Sequence, residues 1–266
     1  MGGRSRLLLA MILAGPATVY AQESTTPVPE RAFDPKGSDP AAVALVDRMW
    51  TALGGRKAYD SIDYICFTSS RLDAEVTLSS HTLCWDRRQD RVRLEMRTNR
   101  GELVVLLRLR EGKGSAFEND EPVPEADQGG VVQHARRLCE DDLYWLLMPW
   151  RLKDPGVHLR VAGEIERGGR KLARVQVTMD PGGWLDPEKL FHVALDPEDG
   201  RLVEWSWPRP EAGGGTSEVV FAWADWVERS GVQFCSRQQE FDGSIQVVHE
   251  PIETPETLVP DTFGEP

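Results

Sequence analysis

Apolar and polar residues alternate along most of this chain, a pattern that is typical of β-strands with one buried face. The alternating segments are joined by short turns rich in Gly, Asn and Asp. They predict strands at 61–71, 75–86, 90–98, 102–110 and 115–119, then 157–166, 171–179, 190–195, 201–207, 218–227, 232–241 and 244–250. Since short links join antiparallel neighbours, the pattern predicts one large antiparallel sheet. The last 16 residues include Pro251, Pro255 and Pro260 and are not expected to form a central strand.

One long segment instead has the period of a helix. It runs from about Val131 to Met148, and its apolar residues recur three or four positions apart at Val132, Ala135, Cys139, Leu143, Leu146 and Leu147. The acidic run Glu140–Asp142 is interpreted as part of the solvated face. Pro149 should stop or kink the helix, because it has no N–H to donate.

A shorter helix is predicted near the start. Asp39 is a suitable N-cap, Pro40 suits the first helical position, and Gly54-Gly55 suits the end. The order is therefore one helix, about five strands, a long helix and about seven strands. This order predicts an α+β fold, a curved antiparallel sheet of about ten to twelve strands wrapped over a central helix. Residues 40–266 are expected to form a single domain.

The first residues are typical of a secretory signal. Arg4 and Arg6 precede an apolar run that is too short to span a bilayer, and Val19-Tyr20-Ala21 resembles a cleavage site. We therefore predict a signal peptide at 1–21, a flexible leader at 22–39 and an exported protein, periplasmic or extracellular. A buried N-terminal helix is the alternative.

Charge narrows the range of partners. The 31 basic and 43 acidic residues give a formal net charge of −12, which disfavours binding to the phosphate backbone of a nucleic acid. The chain is long enough to bury a core of its own, and we expect a monomer.

Cysteines suit an exported protein. Cys66, Cys84, Cys139 and Cys235 could form two bridges in three ways. Cys66 and Cys84 lie on successive predicted strands and are the most plausible pair, although four buried thiols are the alternative.

Candidate catalytic chemistry is sparse. No nucleophile motif of the G-x-S-x-G type occurs, and no cofactor motif is recognised. The five histidines, at positions 81, 134, 158, 192 and 249, lie singly on separate elements without metal-ligand spacing. We therefore predict no catalytic residue, no metal and no cofactor.

Tryptophan is the more informative residue. The chain has nine, and Trp205 and Trp207 point to the same face of their strand. Large aromatic side chains on one face of a sheet either form an ordinary core or line a pocket for an apolar ligand. On the second interpretation the lining would comprise Trp145, Met148, Trp150, Trp205, Trp207 and Trp223.

Three local features carry a resemblance to a known family. They are the helix end Ala52-Leu53-Gly54-Gly55, the segment from Tyr144 to Gly156 (YWLLMPWRLKDPG) inside a meander, and a tail with Leu258, Pro260 and Phe263. Together they resemble the LolA/LolB-like superfamily of exported outer-membrane lipoprotein carriers, near a group of uncharacterised secreted proteins of that fold.

The resemblance implies an unclosed β-barrel wrapped over helices, with an apolar cavity between them. It implies a non-enzymatic carrier of a lipid, acyl chain or lipidated peptide, with transient contact to a membrane or an envelope protein. Trp184-Leu185 and the 208–216 loop are the candidates for an exposed membrane-facing segment. An exported hydrolase acting on a lipid or glycan, and an interaction subunit of an envelope complex, remain open alternatives.

Overall fold

The alternating segments form one antiparallel sheet in the computed structural model, which describes residues 33–181, 190–211, 213–241 and 243–266. The predicted signal peptide and Trp184-Leu185 lie outside these residues. The described part holds thirteen strands: β1 (Tyr64–Asp73), β2 (Val76–Asp86), β3 (Arg91–Thr98), β4 (Gly101–Arg108), β5 (Lys113–Glu118), β6 (Glu121–Pro122), β7 (Val157–Arg167), β8 (Arg170–Met179), β9 (Phe191–Leu195), β10 (Leu202–Pro210), β11 (Thr216–Arg229), β12 (Val232–Glu240) and β13 (Ile245–Glu253).

Strand order explains how two meanders make one sheet. The order across the sheet is β6-β5-β4-β3-β2-β1-β13-β12-β11-β10-β9-β8-β7, so the pairing of β1 with β13 joins the first half of the chain to the second. β6 and β7 are the two edges, and the sheet is not closed into a barrel. The predicted fold class is confirmed, with thirteen strands where about ten to twelve were expected.

Helix α3 (Glu125–Arg151) lies across one face of this sheet. It contacts strands from β5 at one side to β10 at the other, so the sheet must curve around the helix. The helix is longer than predicted at both ends. Gly129 and Gly130 are helical, and Pro149 sits within the last turn without ending the helix. The indole N–H of Trp50 donates to the Pro149 carbonyl at 2.9 Å and ties this end to the neighbouring helix.

Two short helices precede the sheet. α1 (Pro40–Ala52) has the predicted bounds, and it ends where Gly54 adopts a φ of 105°. A side chain at Gly54 would meet the carbonyl oxygen of Gly231, so glycine is required there for both conformation and space. α2 (Arg56–Ser61) follows at once, in residues for which no helix was predicted.

Strand β13 corrects the expectation for the chain's end. It continues to Glu253 and includes Pro251, although it lies between β12 and β1. The register with β1 shifts between Phe67 and Ser69, so Pro251 falls in an irregularity of the ladder. A proline is tolerated at such a bulge because no regular ladder bond is lost there.

Side chains of α3 and of the residues just before α1 bond to backbone groups at the two sides of the sheet, on β5 next to the edge strand β6 and on the edge strand β7. On β5, Gln128 of α3 accepts from the Ala116 N–H at 2.9 Å and donates to the Ala116 carbonyl at 3.1 Å. On β7, the Leu159 N–H donates to Ser38 Oγ at 2.9 Å and the Val161 N–H donates to Asp39 Oδ2 at 3.0 Å.

Candidate functional site

The predicted lining residues are all at least partly buried. Trp205 and Met148 are fully buried, Trp150 is 1% exposed, Trp223 5% and Trp145 7%, while Trp207 is partly exposed. The structure brings Trp145, Trp205 and Trp207 into one cluster of rings. It places the other three residues elsewhere in the same core.

That cluster, called the aromatic cluster below, joins the end of α3 to β9, β10 and β11. It comprises Tyr144, Trp145, Phe191, Trp205, Trp207 and Phe221. Trp145 lies 4.8 Å from Phe221 between ring centroids, and Trp207 stacks on Phe221 at 5.6 Å. Its members range from fully buried to partly exposed, so the cluster extends from the core to the surface.

Trp150 belongs to a second group of rings. It stacks on Tyr59 at 4.6 Å and on Trp50 at 6.2 Å. The Arg87 guanidinium lies 4.2 Å from the Tyr59 ring centroid. Because this group joins α1, α2 and the end of α3, it anchors the helices to one another.

A buried polar network links the middle of α3 to the sheet. Ser69 Oγ on β1 donates to Asp142 Oδ1 at 2.6 Å, and His81 Nε2 on β2 lies 2.5 Å from Asp142 Oδ2. All three residues are 4–7% exposed. A nucleophilic serine would have to pass its proton to a histidine, whereas Ser69 donates to the carboxylate. The arrangement therefore holds the helix in place, and it is not that of a nucleophile with its base.

Asp142 corrects the interpretation of the acidic run. Glu140 and Asp141 are exposed as expected, but Asp142 is 6% exposed. It lies three residues after Cys139 and four before Leu146, and both are in the apolar stripe. The helical period itself therefore placed Asp142 on the buried face.

Beside this network lie polar atoms without a partner. Trp223 Nε1, Gln238 Oε1 and both ring nitrogens of His249 are buried, and none has a hydrogen-bond partner among the described residues. Trp223 pairs with Gln238 across β11 and β12, and His249 pairs with Ser69 across β13 and β1. Gln238 in turn pairs with Val247, two residues before His249. Paired residues share a face, as do residues two apart, so the three side chains form one row under α3.

Burial sets the charge state of His249. It lowers the pKa of His249 to about 4, while the nearby Asp142 acts in the opposite direction and His81 in the same one. At neutral pH the ring is uncharged and offers one donor and one acceptor. No sequence signal marked this row, because each residue sits alone on its own strand.

Cysteines divide into two kinds. Cys66 and Cys84 are directly paired on β1 and β2 and are joined by a disulfide. Cys139 and Cys235 are buried free thiols. Burial raises the pKa of Cys235 to about 12 and that of Cys139 well above its ordinary value, so neither is a thiolate at neutral pH.

On the outer face of the sheet the C-terminal segment borders two open clefts. One, of about 470 Å³, lies between Arg93 and Pro260, and the other, of about 440 Å³, lies between Arg108 and Phe263. The Phe263 ring stacks under the Arg91 guanidinium at 4.6 Å. The tail residues that contributed to the family resemblance thus cover the outside of the sheet.

In the described part of the chain no group of three or more His, Cys, Asp or Glu side chains is placed to hold a metal ion. No helix in the described ranges has the length and hydrophobicity to cross a bilayer.

Comparisons with known proteins concern the fold alone. No protein-family model matches the chain, and no curated protein matches it by sequence. Similar solved structures include a LolA superfamily protein from Nitrosomonas europaea, with 7% identity, a TM-score of 0.45 and coverage of 82% of this chain and 94% of that one. A DUF1329 family protein from Desulfovibrio piger has 10% identity, a TM-score of 0.41 and coverage of 84% and 96%. The lipoprotein LppX from Mycobacterium tuberculosis has 13% identity, a TM-score of 0.32 and coverage of 84% and 100%.

One of these structures belongs to the superfamily that the sequence resembles. At such identities and TM-scores they support nothing about ligand, partner or activity, so those questions depend on this chain's own residues.

Proposed function

We propose that the protein is an exported, non-enzymatic binder or carrier of an apolar ligand in the cell envelope. The ligand class is a lipid, an acyl chain or a lipidated peptide, taken up on the face of the sheet that α3 covers. Contact with a membrane or an envelope protein would be transient, at the moment of transfer.

The observation that carries this proposal is the aromatic cluster. Its rings continue from the fully buried Trp205 to the partly exposed Trp207. An apolar chain inserted along this path would exchange water for ring faces, and each buried methylene would contribute about 0.8 kcal/mol. Ten methylenes would give roughly 8 kcal/mol before the cost of ordering the ligand and the side chains.

Export is supported by two separate features. The N-terminal residues are typical of a signal peptide, and the Cys66–Cys84 disulfide suits an oxidising compartment such as the periplasm or the extracellular space.

Binding of a fluorescent acyl probe tests the proposal. Trp207→Ala should weaken binding, because it removes a ring from the exposed end of the path. Trp85→Ala is the matched control. Trp85 is also partly exposed, but it lies on β2 next to the Arg87 guanidinium and outside the aromatic cluster. Native mass spectrometry and organic extraction of protein from its own host would reveal a bound lipid. A protein that binds no acyl probe and carries no lipid would refute the proposal.

The two alternatives predict different results. A hydrolase would release product from a lipid or glycan substrate. An interaction subunit would bind an envelope protein and ignore acyl probes.

A further inference from the structure

Buried polar atoms that have no hydrogen-bond partner within the described ranges lie at the inner end of the aromatic cluster, on Trp223, Gln238 and His249. Phe221 of that cluster and Trp223 are two residues apart on β11 and face the same side. Trp223 is paired with Gln238 on β12, and His249 lies on β13 two residues beyond Val247, the partner of Gln238. Two strand spacings and two residues along the strand separate the Cα atoms of Trp223 and His249 by about 12 Å. The path from the surface along the aromatic rings therefore ends at a row of buried polar atoms, called the polar row below.

The polar row contains both donors and acceptors that make no hydrogen bond to the described residues. The indole N–H of Trp223 is a donor, Gln238 Oε1 is an acceptor, and the neutral His249 ring supplies one of each. Trp223 is 5% exposed and the other two are fully buried. Buried polar atoms in native proteins almost always have a partner, so atoms of this kind side by side indicate a group that binds there.

We infer that the polar row receives the uncharged, hydrogen-bonding head group of the apolar ligand, a hydroxyl or an amide that both donates and accepts. This inference rests on the proposed function, since it assigns the head of the ligand whose chain lies along the aromatic cluster. The chemical class follows from the atoms. A hydroxyl or amide can use the free acceptor and the free donors together, which an ether or a hydrocarbon cannot.

Charge excludes a free carboxylate from this role. His249 neighbours Ser69, which donates to the Asp142 carboxylate at 2.6 Å. A second carboxylate there would be buried beside a neutral His249 with no cation in the polar row, and since it can only accept, it would leave Gln238 Oε1 unpaired. The ligand head is therefore neutral, as in an acylglycerol, a long-chain alcohol or an N-acyl amide.

Displacement of a fluorescent acyl probe by three compounds with one common chain tests the inference. The compounds are dodecanol, its methyl ether and dodecanoate. The alcohol should bind roughly tenfold to a hundredfold more tightly than the ether, because a buried donor or acceptor left unpaired weakens binding by about that factor. Dodecanoate should bind less tightly than the alcohol at neutral pH.

Three variants test whether the polar row is the cause of the preference for the alcohol over the ether. Trp223→Phe, Gln238→Met and His249→Phe each remove the polar atoms and leave an apolar side chain, which is close in size at positions 238 and 249 and one ring smaller at position 223. They should reduce the alcohol's advantage while affinity for the ether is retained. Trp85→Phe is the control, because it removes an unpartnered buried indole N–H that lies outside the polar row. It should leave the preference unchanged.

Different failures have different meanings. If none of the compounds displaces the probe, or no acyl probe binds, the proposed function is refuted and the head-group site with it. If the chains bind but the alcohol has no advantage, or keeps it in all three variants, the polar row holds only internal water and the inference alone is overturned. Tighter binding of dodecanoate would overturn the neutral class of ligand.

Discussion

Replacing Asp142 with alanine should remove a large part of the stability of the fold. The side chain is 8% exposed and that of His81 is 6% exposed, so solvent screens their contact little. Removing one partner of a buried carboxylate contact of this kind costs about 3–5 kcal/mol, because Ser69 Oγ and His81 Nε2 are left desolvated and without their partner. In a chain of this size each kcal/mol lowers the Tm by about 2–4 °C, so we expect a fall of roughly 6–20 °C.

Thermal unfolding at pH 7, followed by circular dichroism, measures this change. Glu140→Ala is the matched control, because Glu140 is an acidic residue of the same helix on the exposed face, where it pairs with Arg136 at 2.9 Å. An exposed pair of that spacing contributes only about 0.3–0.5 kcal/mol.

A double-mutant cycle separates the network from simple burial. Ser69→Ala and Asp142→Ala share one hydrogen bond, so their combined effect should be smaller than the sum of the two. Equal melting temperatures for the Asp142→Ala and Glu140→Ala variants would show that α3 is not held at this point, and the reasoning would fail.

Three other predictions concern single contacts. Leu146→Ala should lower the free energy of unfolding by about 2–5 kcal/mol because a cavity remains, whereas the exposed Arg137→Ala should stay within about 0.5 kcal/mol, as urea unfolding would show. Burial lowers the pKa of His249 from 6.5 to about 4, so the unfolded chain takes up the proton first. Stability should therefore fall as the pH drops from about 6.5 towards 4, and His249→Phe should reduce that slope in denaturant titrations. Replacing Cys66 and Cys84 with serine should cost about 3 kcal/mol, since the bridge closes a loop of sequence separation 18; a Tm unchanged by the replacement would contradict this.

The sequence predicted those helices and strands whose limits are set by nearby capping and turn residues. The bounds of α1 followed from Asp39, Pro40 and the two glycines after it, and the hairpins followed from their turn residues. Helix α2 was missed because six residues are too few to show a period and because Gly54-Gly55 already indicated an end. Pro251 was misjudged for a related reason, since the irregularity that accommodates it arises from pairing with a distant strand.

The candidate site was also predictable only where its residues are close together in the sequence. Its aromatic half was predictable, because Trp205 and Trp207 lie close together in sequence on one face of a strand. Its polar half was not, because Ser69 and His249 become neighbours only through the pairing of β1 with β13. Asp142 alone carried a local signal, its position in the period of α3, and the acidic residues before it obscured that signal.

The capped edges have a consequence for assembly. An open sheet of this size could grow by adding a strand from another molecule, which is the usual route to intermolecular aggregation. At Ala116 an incoming strand would find the backbone N–H and carbonyl already bonded to the amide of Gln128, which imitates a neighbouring strand. At Val161 it would find the N–H bonded to Asp39. Addition of a strand beside Ala116 or Val161 would first require breaking these bonds, so at these two points the open sheet resists growth.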